Sequence, residues 1–332
     1  MDRPITEPPP HGTAARFAPG FGPARSLLTV DTEEEFDWSG PFTRAGHGLS
    51  HLSSIERFQQ FCEGIGVVPA YLVDWPVATS PVAIEVIGSA VAAGSAEVGI
   101  QLHPWVNPPF EEEVNARNSY AGNLPPSLER AKFLQLRDAI AENFGVAPLI
   151  YRAGRYGLGS RTGTLLREAG VPIDSSVRAN YDYRVGYGPD YSRHPLEPYW
   201  VDREKRVLEL PLTTVYWGML RRQGRLLHPL ASRVPIMNGA LSRLGLLEKI
   251  ALTPEGVSAE EALRGIDMAL DDRLPLLVLS FHSPSLAVGH TPYVRNEADL
   301  ERLYDWLRRI YDYLDMRGVV PTTVAEILAA AG

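Results

Sequence analysis

Short apolar runs alternate along the chain with segments of helical period. "SLLTV" (26–30), "VVPAYLV" (67–73), "AEVGIQL" (96–102), "PLIYR" (148–152), "VPIDSS" (171–176), "RVLELPL" (206–212), "PLLVLSF" (275–281) and "GVVPT" (318–322) have the length and β-branched content of buried strands. Between them, "SSIERFQQFCEGIG" (53–66), "PVAIEVIGSAVAAG" (81–94), "SLERAKFLQLRDAIAENFG" (127–145), "TGTLLREAG" (162–170), "SAEEALRGIDMAL" (258–270) and "EADLERLYDWLRRIYDYLDMRG" (297–318) carry helical spacing. Ser127 suits an N-cap, and Gly66, Gly94, Gly145, Gly170 and Gly318 stand where helices should stop.

Repeated strand–helix alternation implies a parallel sheet with helical crossovers. The number and length of the units suit a (β/α) barrel. A dinucleotide-binding fold fits less well, because no GxGxxG follows the first strand. Residues 217–257 break the rhythm and read as an irregular or helical insertion. Residues 1–24 are Pro-rich without apolar periodicity, so a flexible arm is expected there, with a single barrel domain over 25–332.

Composition narrows the function. The chain has 332 residues, 45% of them apolar, enough for one large core. A net charge of −8 argues against a nucleic-acid partner, which would require a basic patch. Cys62 is the single cysteine, so disulfides and Cys-based zinc sites are excluded and any metal must be held by His, Asp or Glu. No apolar run approaches the roughly 18 residues of a membrane span, and the first residues lack the pattern of a secretory signal. No membrane span and a cytoplasmic location are therefore expected.

Chemistry concentrates at the C-terminal ends of the predicted strands. Asp31, His103, Arg152 with Arg155, Asp174 and His282 all fall there, where the strands of a barrel converge on one face. The first strand also runs into a burst of carboxylates: Asp31, Glu33, Glu34, Glu35 and Asp37. On an extended segment Glu33 and Glu35 share the face of Asp31, while Glu34 points away. Carboxylates beside histidines suit metal-assisted hydrolysis: a divalent ion polarises a carbonyl and activates water, one side chain takes a proton and another gives one. His47 and His51 have i, i+4 spacing but precede the main helical pattern. Trp38, Trp75, Trp105, Tyr156, Tyr216 and Trp217 are candidates to floor a binding site, or simply core.

From residue 26 to about 328 the chain resembles the polysaccharide deacetylase family, also called NodB-homology or chitin-deacetylase-like. "TVDTE" (29–33) stands where that family has T-F-D-D-G, and "EVGIQLHPW" (97–105) is similar to its E-I-G-x-H-x-x-x-H segment. "YRAGRYG" (151–157), "DSS" (174–176) and "LSFHSPSL" (279–286) resemble its later motifs, in order. The resemblance implies a distorted (β/α)7 barrel, TIM-barrel-like. It also implies a divalent metal, often zinc, and removal of an N-acetyl or related acyl group from an amino sugar or glycan. By position Asp31 would be the base, Arg152 would orient it, His282 would be the acid and Asp174 would support the site. Trp105, Arg155 and Tyr156 would contact a carbohydrate substrate. The ligand set departs from the family pattern: its second aspartate falls on Thr32, its first histidine on Gln101 and its second on Trp105. Metal ligation through Glu33, Asp31 and His103, and a catalytically degenerate barrel that binds a carbohydrate or partner without hydrolysis, both remain open on these residues.

Overall fold

A computed structural model describes residues 3–232 and 235–332. The strands are β1 (Arg25–Thr32), β2 (Ala70–Val73), β3 (Glu97–Leu102), β4 (Ile150–Ala153), β5 (Ile173–Asp174), β6 (Tyr199–Trp200), β7 (Leu208–Glu209), β8 (Thr214–Trp217), β9 (Glu248–Ala251), β10 (Leu276–His282) and β11 (Val320–Pro321). The helices are α1 (Ile55–Gly64), α2 (Trp75–Ala78), α3 (Pro81–Ala92), α4 (Pro126–Phe144), α5 (Thr162–Ala169), α6 (Gly224–Ala231), α7 (Pro235–Arg243), α8 (Ala259–Asp271), α9 (Glu297–Met316) and α10 (Val324–Ala330). One curved sheet runs β10-β1-β2-β3-β4-β5-β7-β6, with β11 also on β1. All its pairings are parallel except β6 on β7. This is the expected distorted (β/α)7 barrel, in the form of a half-barrel wrapped by helices.

The pleat of the strands sorts the side chains into two cores. Leu27, Ala70, Leu72, Ile150, Ile173, Leu208, Leu210, Leu276 and Val278 fill the barrel interior. Their chain neighbours Leu28, Val30, Tyr71, Ile100, Leu277, Leu279 and Phe281 join the larger core under the helices. Gly99 lies on the inner face, where a Cβ would meet Ile150 Cγ2 at 2.5 Å and Leu72 Cδ2 at 2.6 Å, so the lower interior has no room for a side chain there. Among the helices, α9 buries Leu300, Leu303, Leu307, Ile310 and Leu314, the spacing of one apolar stripe.

The barrel does not close by a strand ladder. After β7 the chain leaves the β5 edge and reaches β10 through single hydrogen bonds: Thr213 N–H to Val278 O at 3.3 Å, Val278 N–H to Thr213 Oγ1 at 2.9 Å and Ser280 N–H to Leu252 O at 3.2 Å. The insertion beyond is a β8–β9 hairpin whose connection carries α6 and α7. α4 begins at Pro126 with Pro125 at the cap position, two residues before the expected cap Ser127.

The N-terminal segment is not a free arm. Ile5 is buried in the main core, and Phe21 seals the bottom of the barrel with Trp200, Val324 and Ile327. Backbone bonds fix it along its length: Trp200 N–H to Thr13 O at 2.9 Å, Ala15 N–H to Pro198 O at 2.8 Å and Ala18 N–H to Ala330 O at 2.9 Å. Its Pro-rich composition hid a few apolar anchors that suffice to dock it. No helix of the described residues is long and apolar enough to cross a membrane.

Two outcomes follow for stability. Removing residues 1–22 strips Ile5 and Phe21 from the core, each worth about 1.5–3 kcal/mol, so the melting temperature should fall by more than about 4 °C in calorimetry. Near the arm, burial depresses His194 to about 4, and its Nε2 lies 3.4 Å from Ile5 O. The unfolded chain takes up this proton near the usual histidine value and the native chain only near 4. Stability should therefore be undiminished above that usual value and decline as pH falls between the two. His194→Asn should flatten that stretch of a urea-denaturation pH series.

Candidate active site

Strand parity carries Asp31, Gln101, Arg152, Ser280 and His282 onto the interior, one or two pleats above the apolar layer. Arg152 is 1% exposed and spends every donor it has. Nε–H donates to Ser175 O at 2.8 Å; one terminal nitrogen donates to Asp31 Oδ1 and to Ser280 Oγ at 2.8 Å. The other donates to Thr29 Oγ1 at 3.0 Å and Ser175 Oγ at 3.1 Å. A buried guanidinium so saturated is stable in place and fixes the carboxylate it pairs with.

The second oxygen of Asp31 lies 3.8 Å from His282 Nε2. The other imidazole nitrogen, Nδ1, meets Glu255 Oε2 at 2.6 Å, and Glu255 Oε1 takes the His282 backbone N–H at 3.1 Å and the Ser285 hydroxyl at 2.6 Å. Burial opposes charge on His282, but Glu255 and Glu33 outweigh it and hold the imidazole well above the usual histidine range. Trp38 sets its edge against the ring, centroids 5.0 Å apart.

Across the cleft, His103 Nδ1 meets Glu34 Oε2 at 2.8 Å, and the ring stacks on Trp105 at 4.3 Å. Trp105 Nε1–H donates to the other Glu34 oxygen at 2.7 Å. His103 Nε2 is thus turned toward Glu33, 3.4 Å from its Oε2. Gln101 Nε2 donates to that same oxygen at 3.0 Å. Glu33 Oε1 and Gln101 Oε1 are buried with no partner among the described residues, and burial pushes the Glu33 carboxyl up to about 8. His103 is wedged close to the next strand: a Cβ on Gly154 would stand 2.3 Å from its Cδ2 and 2.6 Å from Leu102 O.

Glu34, Asp74 and His103 bring ligand-type atoms within 4.8 Å of one another. Their atoms are already engaged, however. Asp74 accepts the Glu34 N–H at 2.8 Å and caps α2 through the Val77 N–H at 2.9 Å, while Glu34 serves His103 and Trp105. The open valences lie on the other side of His103, at Glu33. Glu34 therefore does not point idly away, as an ideal extended strand suggested; it is the group that orients His103.

The remaining candidates divide. A cleft of about 640 Å³ is lined by Asp31, Glu33, His103, Trp105, Arg152, Arg155, Tyr156 and His282, together with Trp38 and His47. Arg155 and Tyr156 adopt φ of 56° and 61°, a left-handed pair that side chains adopt only when the surroundings enforce it. Arg155 lies over Phe42 and Tyr120 at 4.8 and 4.2 Å. Asp174 is not in the cleft: Ile173 faces inward, so Asp174 faces outward, bonds Ser176 Oγ at 2.6 Å and lies against buried Glu209. Its neighbour Ser175 is the one that reaches Arg152. Trp75, Tyr216 and Trp217 do not line the cleft; Trp217 packs under Arg264 at 4.2 Å.

Sequence reasoning missed Glu255, which lies in the insertion with no motif around it. It also missed what His51 does. His51 Nδ1 meets Glu35 Oε1 at 3.0 Å, Nε2 meets Ser283 Oγ at 2.8 Å, and Ser283 Oγ accepts the Glu33 N–H at 3.4 Å. This chain of bonds ties the carboxylate run after β1 to the residue following His282.

No protein-family model matches the chain, and no curated protein sequence matches it. Its fold is shared with solved structures. One is a probable polysaccharide deacetylase from Pseudomonas aeruginosa PAO1, 16% identical, TM-score 0.51, covering 96% of this chain and 94% of that one. Another is PuuE allantoinase, 15% identical, TM-score 0.52, covering 97% of this chain and 94% of that one. The architecture is that of the polysaccharide deacetylases.

The two adjacent glutamates should respond oppositely to the same change. Glu34→Gln puts an amide N–H against a donor in a sealed pocket and should cost about 1–3 kcal/mol in urea denaturation. Glu33→Gln removes a buried carboxyl with one unpartnered oxygen and should be neutral or stabilising in metal-free buffer. Equal losses would show that Glu33, too, is fully satisfied.

Proposed function

We propose that the protein is a metal-dependent hydrolase that removes an N-acyl group, acetyl in the simplest case, from an amino sugar or glycan. The observation that carries this reading is the meeting of Asp31, locked by Arg152, with His282, backed by Glu255, at the rim where Glu33 and His103 leave valences open.

The residues fit a divalent cation. Glu33 and His103 Nε2 would hold it, with the Gln101 amide beside them, and nitrogen and carboxylate donors suit zinc. Such an ion, when bound, supplies Lewis acidity toward the acyl carbonyl and the attacking water. Everything else falls to the chain. Asp31 cannot rotate, because Arg152 holds Oδ1; its free oxygen takes the water's proton. His282 presents Nε2 to the cleft and, with Glu255 favouring its charged form, gives a proton to the departing amine nitrogen. Glu34 fixes the tautomer of His103, and the ring of Trp105 supports it from one face.

A second reading, a barrel that binds carbohydrate without hydrolysing it, is favoured by Gln101 and Trp105 standing where the resemblance places histidine ligands. Metal content and acetate release, measured side by side on N-acetylated sugars, separate the two. The wild type should hold about one divalent ion that EDTA removes along with activity. Asp31→Asn, checked for native circular dichroism, should keep the metal and lose roughly 10²–10⁴ in turnover. Glu33→Gln should lose metal and recover partly in excess metal. A wild type that neither retains metal nor releases acetate from any sugar of the series would leave the binding reading standing.

A further inference from the structure

A second cavity of about 220 Å³ opens off the cleft at His282, sharing Trp38 and Tyr156 with it. It lies behind the open seam of the barrel. Three features set it apart from packing space. Arg178 lines it and has no carboxylate partner among the described residues; its polar contact is the Tyr183 hydroxyl at 3.4 Å, and its guanidinium lies 4.1 Å over the Tyr181 ring. A second cation, Lys249, stands outside the lining, 3.4 Å over the same Tyr181 ring, and likewise forms no ion pair among the described residues, only a 3.4 Å contact to Asn180 O. Thr214, fully buried, lines the cavity with a hydroxyl that finds no partner.

The charge balance is informative. Glu255 is the carboxylate among the described lining residues, and both its oxygens are taken by His282 and Ser285. Two half-buried cations with no counter-charge cost desolvation energy that a bound anion would return. In keeping with this, burial, followed by the charge of Arg178, brings the Lys249 ammonium down to about 8. A guanidinium offers paired N–H donors matched to a carboxylate or phosphate, and a hydroxyl adds a third donor.

We propose that this cavity is a subsite for an oxyanion, carboxylate or phosphate, carried by the substrate's sugar. The assignment to the sugar side rests on the hydrolase reading: His282 protonates the leaving amine, so the cavity opening at His282 adjoins the amino sugar and not the acyl group. The substrate class is thereby narrowed to acidic or phosphorylated N-acyl amino sugars.

The test is calorimetric titration of the full chain, at low salt, with N-acetylglucosamine, N-acetylglucosamine 1-phosphate and N-acetylmuramic acid. At least one anionic sugar should bind about tenfold or more tightly than the neutral one, the worth of a charge-assisted hydrogen bond. Which of the two wins distinguishes phosphate from carboxylate. Arg178→Gln should abolish the preference, Arg178→Lys should keep part of it, and Thr214→Val should weaken it. Equal binding of neutral and anionic sugars by the wild type overturns the proposal, as does a folded Arg178→Gln with the preference intact. Should Arg178→Gln fail to fold, Lys249→Gln and Thr214→Val decide: an unchanged preference in both overturns the subsite. Acetate release read in parallel keeps the two ideas apart. Release without anion preference removes the subsite alone, whereas preference without release removes the hydrolase and leaves an anionic-sugar binding site.

Discussion

The site is organised by one buried charge. Arg152 puts a guanidinium inside a barrel, where an unpaired cation would be intolerable, and every donor on it must be answered. The answers come from β1, from the segment after β5 and from β10, so a single side chain crosses the interior and pins the sheet at the level of the cleft. Asp31 is one of those answers. Its orientation is a by-product of satisfying the arginine, and the geometry of the cleft is therefore built into the electrostatics of the fold. The same logic explains the abrupt change from an aliphatic layer at Leu27 and Ile150 to a polar layer one pleat higher.

Around that fixed pair, the other groups are held by buried partners. Glu34 holds His103, Glu255 holds His282, and the His51–Ser283 chain holds the backbone between Glu33 and Glu35. Glu34 and Glu255 use both carboxylate oxygens in this, and His51 uses both ring nitrogens. Glu33 and Gln101 each keep an unanswered buried oxygen beside His103. Two incomplete acceptors on side chains that touch one another leave interaction energy available where a ligand would use it.

Much of this was legible in the chain. Strand ends could be read from apolar runs, and period-2 alternation put Glu33 on the face of Asp31, where both line the cleft. Asp174 was misplaced because β5 is two residues long, too short for the pattern alone to fix parity; only the pairing of Ile173 into the interior does so. Glu34 defied the alternation because the strand has ended and the chain turns there toward Asp74. Glu255 left no trace, since its partner His282 is distant in sequence and the insertion has no periodicity. The N-terminal segment misled through composition: prolines dominate it, yet docking depends on where Ile5 and Phe21 fall.

The seam between the β7 edge and β10 has a consequence for how such a protein can diversify. In a closed barrel, widening the rim breaks a continuous ladder, and the loss is shared by every strand. Here the rim beside His282 is spanned by isolated bonds at Thr213 and Leu252, and the wall of the adjoining cavity comes from an inserted hairpin. Substitutions in that wall can reshape what is accommodated next to His282 without disturbing the arginine-pinned half of the sheet. Selectivity and framework are mechanically separable in this chain, and drift in one need not endanger the other.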